Sequence, residues 1–197
     1  MGTAKDKSSI YHLKITLVGI NRPIWRRVQV PSTIRLGRLH DVFQAAMGWT
    51  DSHLHQFEKD GKYWAVPDPD ELEGDIRIID ESRVSLASVL TAEGDSMIYV
   101  YDFGDDWRHE VVLEKILPSD SDASARPICL AGERRCPPED VGGPSGYLEF
   151  LEVIFEPGHE EFARLRGWAG GTFHAEEFNA AAVNRVLGRM RWPVRNK

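Results

Sequence analysis

The sequence is short of several things, and each shortage excludes something. Only two of its 197 residues are cysteine, too few for the disulfide framework that staples small secreted domains. No apolar stretch approaches the ~18 residues of a membrane-crossing helix, and the first residues lack the apolar core of a secretory leader. A soluble, cytoplasmic protein without a membrane partner is therefore expected. Basic charge is scarce too. With 24 Lys and Arg against 31 Asp and Glu, the formal net charge is −7, which offers no general footprint for a nucleic-acid backbone. There is no Gly-x-Ser-x-Gly elbow, no phosphate-cradling glycine-rich loop and no His-Glu-x-x-His, so nucleophilic hydrolysis has no recognisable machinery.

What is present describes a folded chain. Apolar residues make up 42% and tryptophans number six, unlike a disordered sequence. The length suits one domain with a full core, expected over residues 10–192, between a disordered N-terminal tail at 1–9 and a short C-terminal tail at 193–197.

The most informative stretch is Tyr99 to Leu113. Met97, Tyr99, Tyr101 and Phe103 alternate with Ile98, Val100 and Asp102, the period-2 signature of a strand. Trp107, His109, Val111 and Leu113 alternate in the same way after the bend. A three-residue loop, Gly104-Asp105-Asp106, pairs Phe103 with Trp107, Tyr101 with His109 and Tyr99 with Val111 on one face, and Asp102 with Arg108 on the other. A two-residue loop would mix the faces, so the three-residue loop is preferred.

Elsewhere, Ile10–Val18 and Trp25–Val30 read as a first hairpin ended by Pro31. Leu36, Leu39, Phe43 and Met47 recur at helical spacing before a stop at Gly48, with His40 on the edge of that apolar face. His53–Phe57 and Lys62–Val66 form a second strand pair around Asp60-Gly61, with His53, His55 and Phe57 on one face. Residues 67–75 make an acidic exposed loop, Val84–Leu90 a short helix or turn, and residues 118–127 a Ser/Asp-rich surface loop. Three helical segments follow: one carrying Tyr147, Leu148, Leu151, Ile154 and Phe155, a short one with Phe162 and Leu165, and a last one capped by Asn179 that turns Val183, Val186, Leu187 and Met190 inward. The fold class is α+β, a largely antiparallel sheet built from β-hairpins, with one early helix and a helical C-terminal third.

Candidate chemistry gathers around the central hairpin. Asp102, Asp105, Asp106, His109 and Glu110 crowd one sheet end beside Tyr101 and Trp107, an environment that shifts pKa values and orients an imidazole. His109, Asp102 and Glu110 are thus the acid–base candidates. The alternative is that Asp105 and Asp106 serve the turn, Asp102 pairs with Arg108 and His109 packs on Tyr101. Cys136-Pro-Pro-Glu-Asp-Val-Gly-Gly143 holds Glu139 and Asp140 on a stiffened loop, suited either to a ligand contact or to a packed connection into the next helix. Cys129 and Cys136, with six residues between them and not the two to four of a zinc knuckle, combine with His53 and His55 as the weak metal candidates. Neither zinc nor another cofactor is favoured. Arg22, Arg26, Arg27, Arg35 and Arg38, with Arg185, Arg189, Arg191 and Arg195 near Trp192, supply the arginine-and-aromatic surfaces on which bases stack, against the overall acidity.

Pro23-Ile-Trp-Arg-Arg27, Leu39-His40, Gly48-Trp49, His53-Leu-His55, Tyr101-Asp-Phe-Gly-Asp-Asp-Trp107 with His109, Cys129-Leu-Ala-Gly132, Cys136-Pro-Pro-Glu-Asp140, Gly142-Gly143 and Gly146-Tyr147 resemble the pRiA4b ORF-3-like family over about residues 10 to 190. The resemblance implies an α+β fold and an association with plasmids and insertion sequences, with no established activity, although some relatives carry a resolvase label. It also implies that many relatives have a cysteine where Val141 stands, which weakens a metal cluster on that loop. The expected function is a non-catalytic binding module for a protein or small molecule, using Tyr101, Asp102, Asp105, Asp106, Trp107, His109, Glu139 and Asp140. The alternatives are a DNA-recombination accessory contacting nucleic acid through its arginines, and a hydrolase-like or metal-dependent enzyme using His109.

Overall fold

The computed structural model describes residues 9–67, 77–118 and 126–192. Eight strands form one sheet: β1 (Ser9–Leu17), β2 (Trp25–Pro31), β3 (His55–Lys59), β4 (Lys62–Ala65), β5 (Ile78–Asp80), β6 (Ser96–Tyr101), β7 (Trp107–Pro118) and β8 (Ile128–Glu133). Their spatial order is β5-β4-β3-β6-β7-β1-β2-β8. All neighbours are antiparallel except β4 and β5. Four helices accompany the sheet: α1 (Leu36–Met47), α2 (Gly143–Ile154), α3 (Phe162–Trp168) and α4 (Ala180–Arg189). The result is a mixed α/β chain with a large, mostly antiparallel sheet. Helical turns also occur mid-chain, at Glu81–Arg83 and Leu86–Ser88, so helical structure is not confined to one early helix and the last third.

The two sheet faces differ as the alternation requires. Leu13, Ile15 and Leu17 of β1, Val28 and Val30 of β2, Tyr99 and Tyr101 of β6, and Trp107, Val111 and Leu113 of β7 are buried in one core. Helix α1 contributes Leu36, Leu39, Val42 and Phe43 to it, and α2 and α4 contribute Tyr147, Phe150 and Leu187. The opposite face carries ion pairs instead, Arg27 with Glu114 at 2.5 Å and Arg108 with Glu58 at 2.7 Å. A one-sided antiparallel sheet has this division.

Arg26 is the exception on the inward face. It is almost wholly buried, and its guanidinium donates to the carbonyls of Ala46, Trp25 and Glu133, each at 2.8 Å. The ring of Phe178 covers it at 4.3 Å. Among the described residues no carboxylate pairs with it. One buried cation thus ties the C-terminal turn of α1 to β2 and to the end of β8.

The central hairpin departs from the expected register. Tyr101 pairs with Trp107, Tyr99 with His109 and Met97 with Val111, two residues away from the three-residue-loop pairing. The loop spans five residues because Asp102 leaves the strand with a left-handed φ of 59°. Its Oδ1 accepts the N–H of Gly104 at 2.9 Å and of Asp105 at 3.3 Å, and its carbonyl accepts the N–H of Asp106 at 2.7 Å. Asp102 accordingly does not face Arg108, and Phe103 lies outside the strand and exposed. Inward and outward residues nevertheless sort as expected, since a shift of two preserves the faces.

Other differences have similar local causes. His53 precedes β3 rather than sharing its face with His55 and Phe57. Strands β5 and β8 were not anticipated: β5 has only three residues, and β8 contains Gly132 and a register irregularity against β2. On the helices, Leu148, Phe155 and Val186 are exposed rather than inward. The expected Asn179 cap is present, its Oδ1 accepting the Ala182 N–H at 3.0 Å. Most of the acidic loop at 67–75 and of the Ser/Asp-rich loop at 118–127, with both terminal tails, lies outside the described residues.

Two outcomes test this core. Arg26→Leu removes the donor from three carbonyls, and charge-assisted hydrogen bonds contribute ~1.5–3 kcal/mol each; urea unfolding should show a loss of about 3 kcal/mol or more at unchanged m. His109 is fully buried and burial lowers its pKa to about 4, against about 6.5 in the unfolded chain. Between those values the unfolded state holds a proton that the native state does not, so stability is complete above pH 6.5 and falls toward pH 4. The fall approaches ~1.4 kcal/mol per pH unit. His109→Phe should have a shallower decline across that window, whatever its absolute stability; an identical slope would remove His109 from the account.

Candidate functional site

The site lies where the turn end of the β6–β7 hairpin meets the segment after α1 and the loop 136–143. Helix α1 ends at Gly48, and the chain then drops Trp49 into the core. The Trp49 indole N–H donates to the Pro137 carbonyl at 3.1 Å, which fastens the start of the Pro-Pro-Glu-Asp loop. Its ring packs on Tyr101 at 4.9 Å, on Trp107 at 6.1 Å and edge-on to His109 at 5.2 Å between centroids. These aromatics form a floor, not a surface. Tyr101 and Trp107, expected to offer contact area to a ligand, are fully buried.

Above that floor, polar side chains from three segments converge. The Tyr101 hydroxyl accepts the Ser52 N–H at 3.0 Å and donates to Glu139 at 3.1 Å. Glu139 Oε1 also accepts the Thr50 N–H at 2.9 Å. His53 Nε2, shielded from solvent, lies 3.0 Å from Asp140 Oδ1 and 3.5 Å from Asp102 Oδ2 without the alignment of a hydrogen bond. Asp102 and Asp140 both hold left-handed backbones, with φ of 59° and 57°, and such conformations concentrate at functional sites. Asp105 Oδ2 accepts the Gly142 N–H at 3.1 Å. Gly143, at φ 68°, lies so close to the hairpin turn that a Cβ there would sit 2.5 Å from the Asp105 carbonyl oxygen. The hairpin and the loop, 37 residues apart at Asp105 and Gly142, are thus one structure.

A second polar group adjoins the first. His40, one helical turn before Gln44 on α1, contacts the Tyr99 hydroxyl through Nδ1 at 2.7 Å and Asp51 Oδ1 through Nε2 at 2.8 Å. The imidazoles of His40 and His55 are stacked, 3.5 Å apart and 5° from parallel. His55 Nε2 meets Glu81 Oε2 at 2.9 Å, and Glu81 is itself buried. Burial, with His55 close by, lowers the His40 pKa to about 4, so the ring is neutral at pH 7. The second group and, from the first, His53 line a groove of about 660 Å³ bounded by His40, Asp51, His53, His55 and Glu81. Its rim includes Leu54 and Val66, and Leu54 bonds through its carbonyl to the Asp102 N–H. Leu54, Val66 and Phe103 are 69, 63 and 51% exposed.

Other expected participants lie elsewhere. His109 sits in the core, its Nδ1–H donating to the Tyr99 carbonyl at 3.2 Å and leaving Nε2 unpartnered; Arg26, not a carboxylate, is the charge that acts on it. It does not meet Asp102, and Glu110 is exposed on the outward face of β7. Asp106 is exposed, 3.6 Å from Arg108. Cys129 and Cys136 are buried near Arg26, and burial pushes both thiols up. Among the described residues neither joins a group of three metal-ligating side chains, so the mixed cysteine–histidine cluster is not assembled. The N-terminal arginines are engaged within the chain: Arg22 with Glu176, Arg27 with Glu114, Arg35 with the Arg83 carbonyl, and Arg38 with Asp41 and the Arg191 carbonyl. Arg195 lies outside the described residues. Asp51, Glu81 and Gln44 were missed, and only their clustering around His40 in space marks them.

The comparisons place this geometry among relatives without an assigned activity. Residues 9–182 match the family model of the plasmid pRiA4b ORF-3-like protein. An uncharacterised protein, y4hQ, of Sinorhizobium fredii (strain NBRC 101917 / NGR234) is 43% identical over 178 residues, covering 90% of this chain and 87% of that protein. The crystal structure of a protein of unknown function, MM3350, from Methanosarcina mazei Go1 is similar with a TM-score of 0.79 and 38% identity, over 88% of this chain and 97% of that one. No helix among the described residues is long and apolar enough to cross a membrane. This chain belongs to the plasmid pRiA4b ORF-3-like family.

Proposed function

We propose that this chain is a non-catalytic binding module whose binding face is the groove beside the turn end of the β6–β7 hairpin. The observation that carries the reading is the convergence of Asp102, His53 and Asp140, with Glu139 held by Tyr101, a cluster joined to that groove through His53. Carboxylates outnumber cations there, and the exposed apolar side chains of Leu54 and Val66 line the adjoining groove. This combination fits a ligand with a cationic or donor-rich head and an apolar body, with a few placed polar groups setting orientation. The ligand can be a small molecule or a side chain of a protein partner.

Catalysis through His109 has no support in the geometry, since the ring is sealed in the core away from carboxylates. Nucleic-acid contact through the arginines near residues 22–38 is likewise poorly supported, because those guanidiniums already hold carboxylates or carbonyls.

Two-dimensional NMR with small alkylammonium and guanidinium fragments, set against carboxylate fragments of the same size, tests the reading. Amide shifts should cluster at residues 50–55, 102–106 and 139–142 for the cationic series only. The double variant Glu139→Gln, Asp140→Asn should weaken those shifts at least tenfold while its thermal midpoint stays within a few degrees. Shifts that are equal for both series, or that survive the double variant, would refute the proposed face.

A further inference from the structure

The end of the groove built by His40 and His55 has a composition that the cation-binding side chains around His53 do not share. We propose that it is a binding site for a first-row divalent transition-metal ion of the zinc class, with His40, His55 and Asp51 as ligands and Glu81 as a fourth donor. The ligating atoms of His40, Asp51 and His55 all lie within 4.8 Å of one another, and Glu81 Oε2 is 2.9 Å from His55 Nε2. Two imidazoles with carboxylates make a mixed nitrogen–oxygen set of the kind that holds zinc, iron or manganese rather than calcium.

The four donors come from four segments: α1, the turn after it, β3 and the turn Glu81–Arg83. Local sequence preference cannot bring them together, so their meeting is a property of the fold. Behind them stands a buried supporting layer. Tyr99 holds the far nitrogen of His40 at 2.7 Å, Gln44 donates to the Tyr99 hydroxyl at 3.2 Å, and Gln44 Oε1 accepts the Asp51 N–H at 2.9 Å. One buried glutamine thereby orients both a histidine and the segment of an aspartate, as the outer shells of metal centres do. Room for the fourth donor depends on a glycine: a Cβ on Gly37 would stand 2.8 Å from Glu81 Oε1.

The electrostatics favour an ion over hydrogen bonding alone. Glu81 is 4% exposed and the Asp51 side chain 60%; binding through both rings turns one imidazole out of its stack with the other, because a metal lies in the plane of each imidazole that ligates it. Removing the Glu81 carboxylate from water is costly unless its charge is matched, which a divalent ion does. The groove leaves the ion an entry path and positions for further ligands. The neighbouring His53, Asp102 and Asp140 also form a three-donor group, but it offers a single imidazole. The inference goes beyond the binding face proposed above, which requires Glu139 and Asp140 and no ion.

The test is titration of tag-free, chelator-treated protein with Co²⁺, read by visible ligand-field absorption, followed by displacement with Zn²⁺. Stoichiometric binding is expected, weakened at least tenfold in His55→Gln and in Glu81→Gln. Tyr99→Phe, which keeps all four donors, should weaken it roughly 10- to 100-fold. Asp102→Asn should leave it unchanged. Failure of Co²⁺ and Zn²⁺ to bind stoichiometrically to folded protein would overturn the site, as would bands that persist in His55→Gln and vanish in Asp102→Asn. Retained Co²⁺ binding in Glu139→Gln, Asp140→Asn separates this outcome from failure of the binding face.

Discussion

A cation in the core, Arg26, holds this architecture at the point where helix and sheet meet. Its three carbonyl partners belong to the last turn of α1, to its own strand and to the end of β8. The Ala46 carbonyl is one of the acceptors that a helix leaves unsatisfied at its C-terminus, where a positive charge is favourable. With that end fixed, the chain leaving α1 has one way to run. Trp49 drops against Tyr101 and Trp107, and residues 50–55 pass over the hairpin turn. Everything polar in the groove rests on that path.

The groove itself shows how an aromatic floor can organise a charged surface. Tyr99 and Tyr101 are neighbours on the inward face of β6, fully buried except for hydroxyls that point into polar clusters. Each hydroxyl meets one acidic and histidine-containing group: Tyr99 beside His40 and Asp51, Tyr101 beside Glu139 and the His53 segment. Burial raises the pKa of both phenols, so they remain neutral, with a proton to donate and a lone pair to accept. Rigid rings thus set the positions of flexible carboxylates. This arrangement also explains why the tyrosines and Trp107 act from beneath the site and do not line it.

The strand faces and the first and last helices were legible in the chain. Period-2 alternation in β1, β6 and β7 and the Leu36, Leu39, Phe43 spacing of α1 are strong local signals because one face of each element must be apolar. The same alternation also held an unread message. In Trp25-Arg-Arg-Val-Gln-Val30, Arg26 has the parity of Val28 and Val30, so it belongs on the inward face, whereas Arg27 points outward to Glu114. Grouping both into a basic stretch by proximity obscured that difference. The hairpin register was missed for a different reason. Asp102 fits a strand by parity, but its side chain captures two backbone N–H groups and turns the chain early, a competition between side chain and ladder that alternation does not weigh. Asp102 and the Glu139-Asp140 loop were expected near one another, and they meet around His53, which entered only as a weak metal candidate.

By itself, then, the sequence determined which residues of the long strands face inward, where α1 stops, and which carboxylates and histidines were available. Those outcomes depend on local periodicity, capping and turn chemistry, which act over a few residues. Only the tertiary structure decided that His109 is sealed in the core, that the N-terminal arginines are engaged, and that His40, Asp51, His55 and Glu81 share one end of a groove. Each depends on contacts between segments 11 to 154 residues apart, such as His40 with Asp51 and Arg22 with Glu176. No local preference encodes such contacts, because they exist only once burial of the common core has fixed the relative positions of helix, strand and loop.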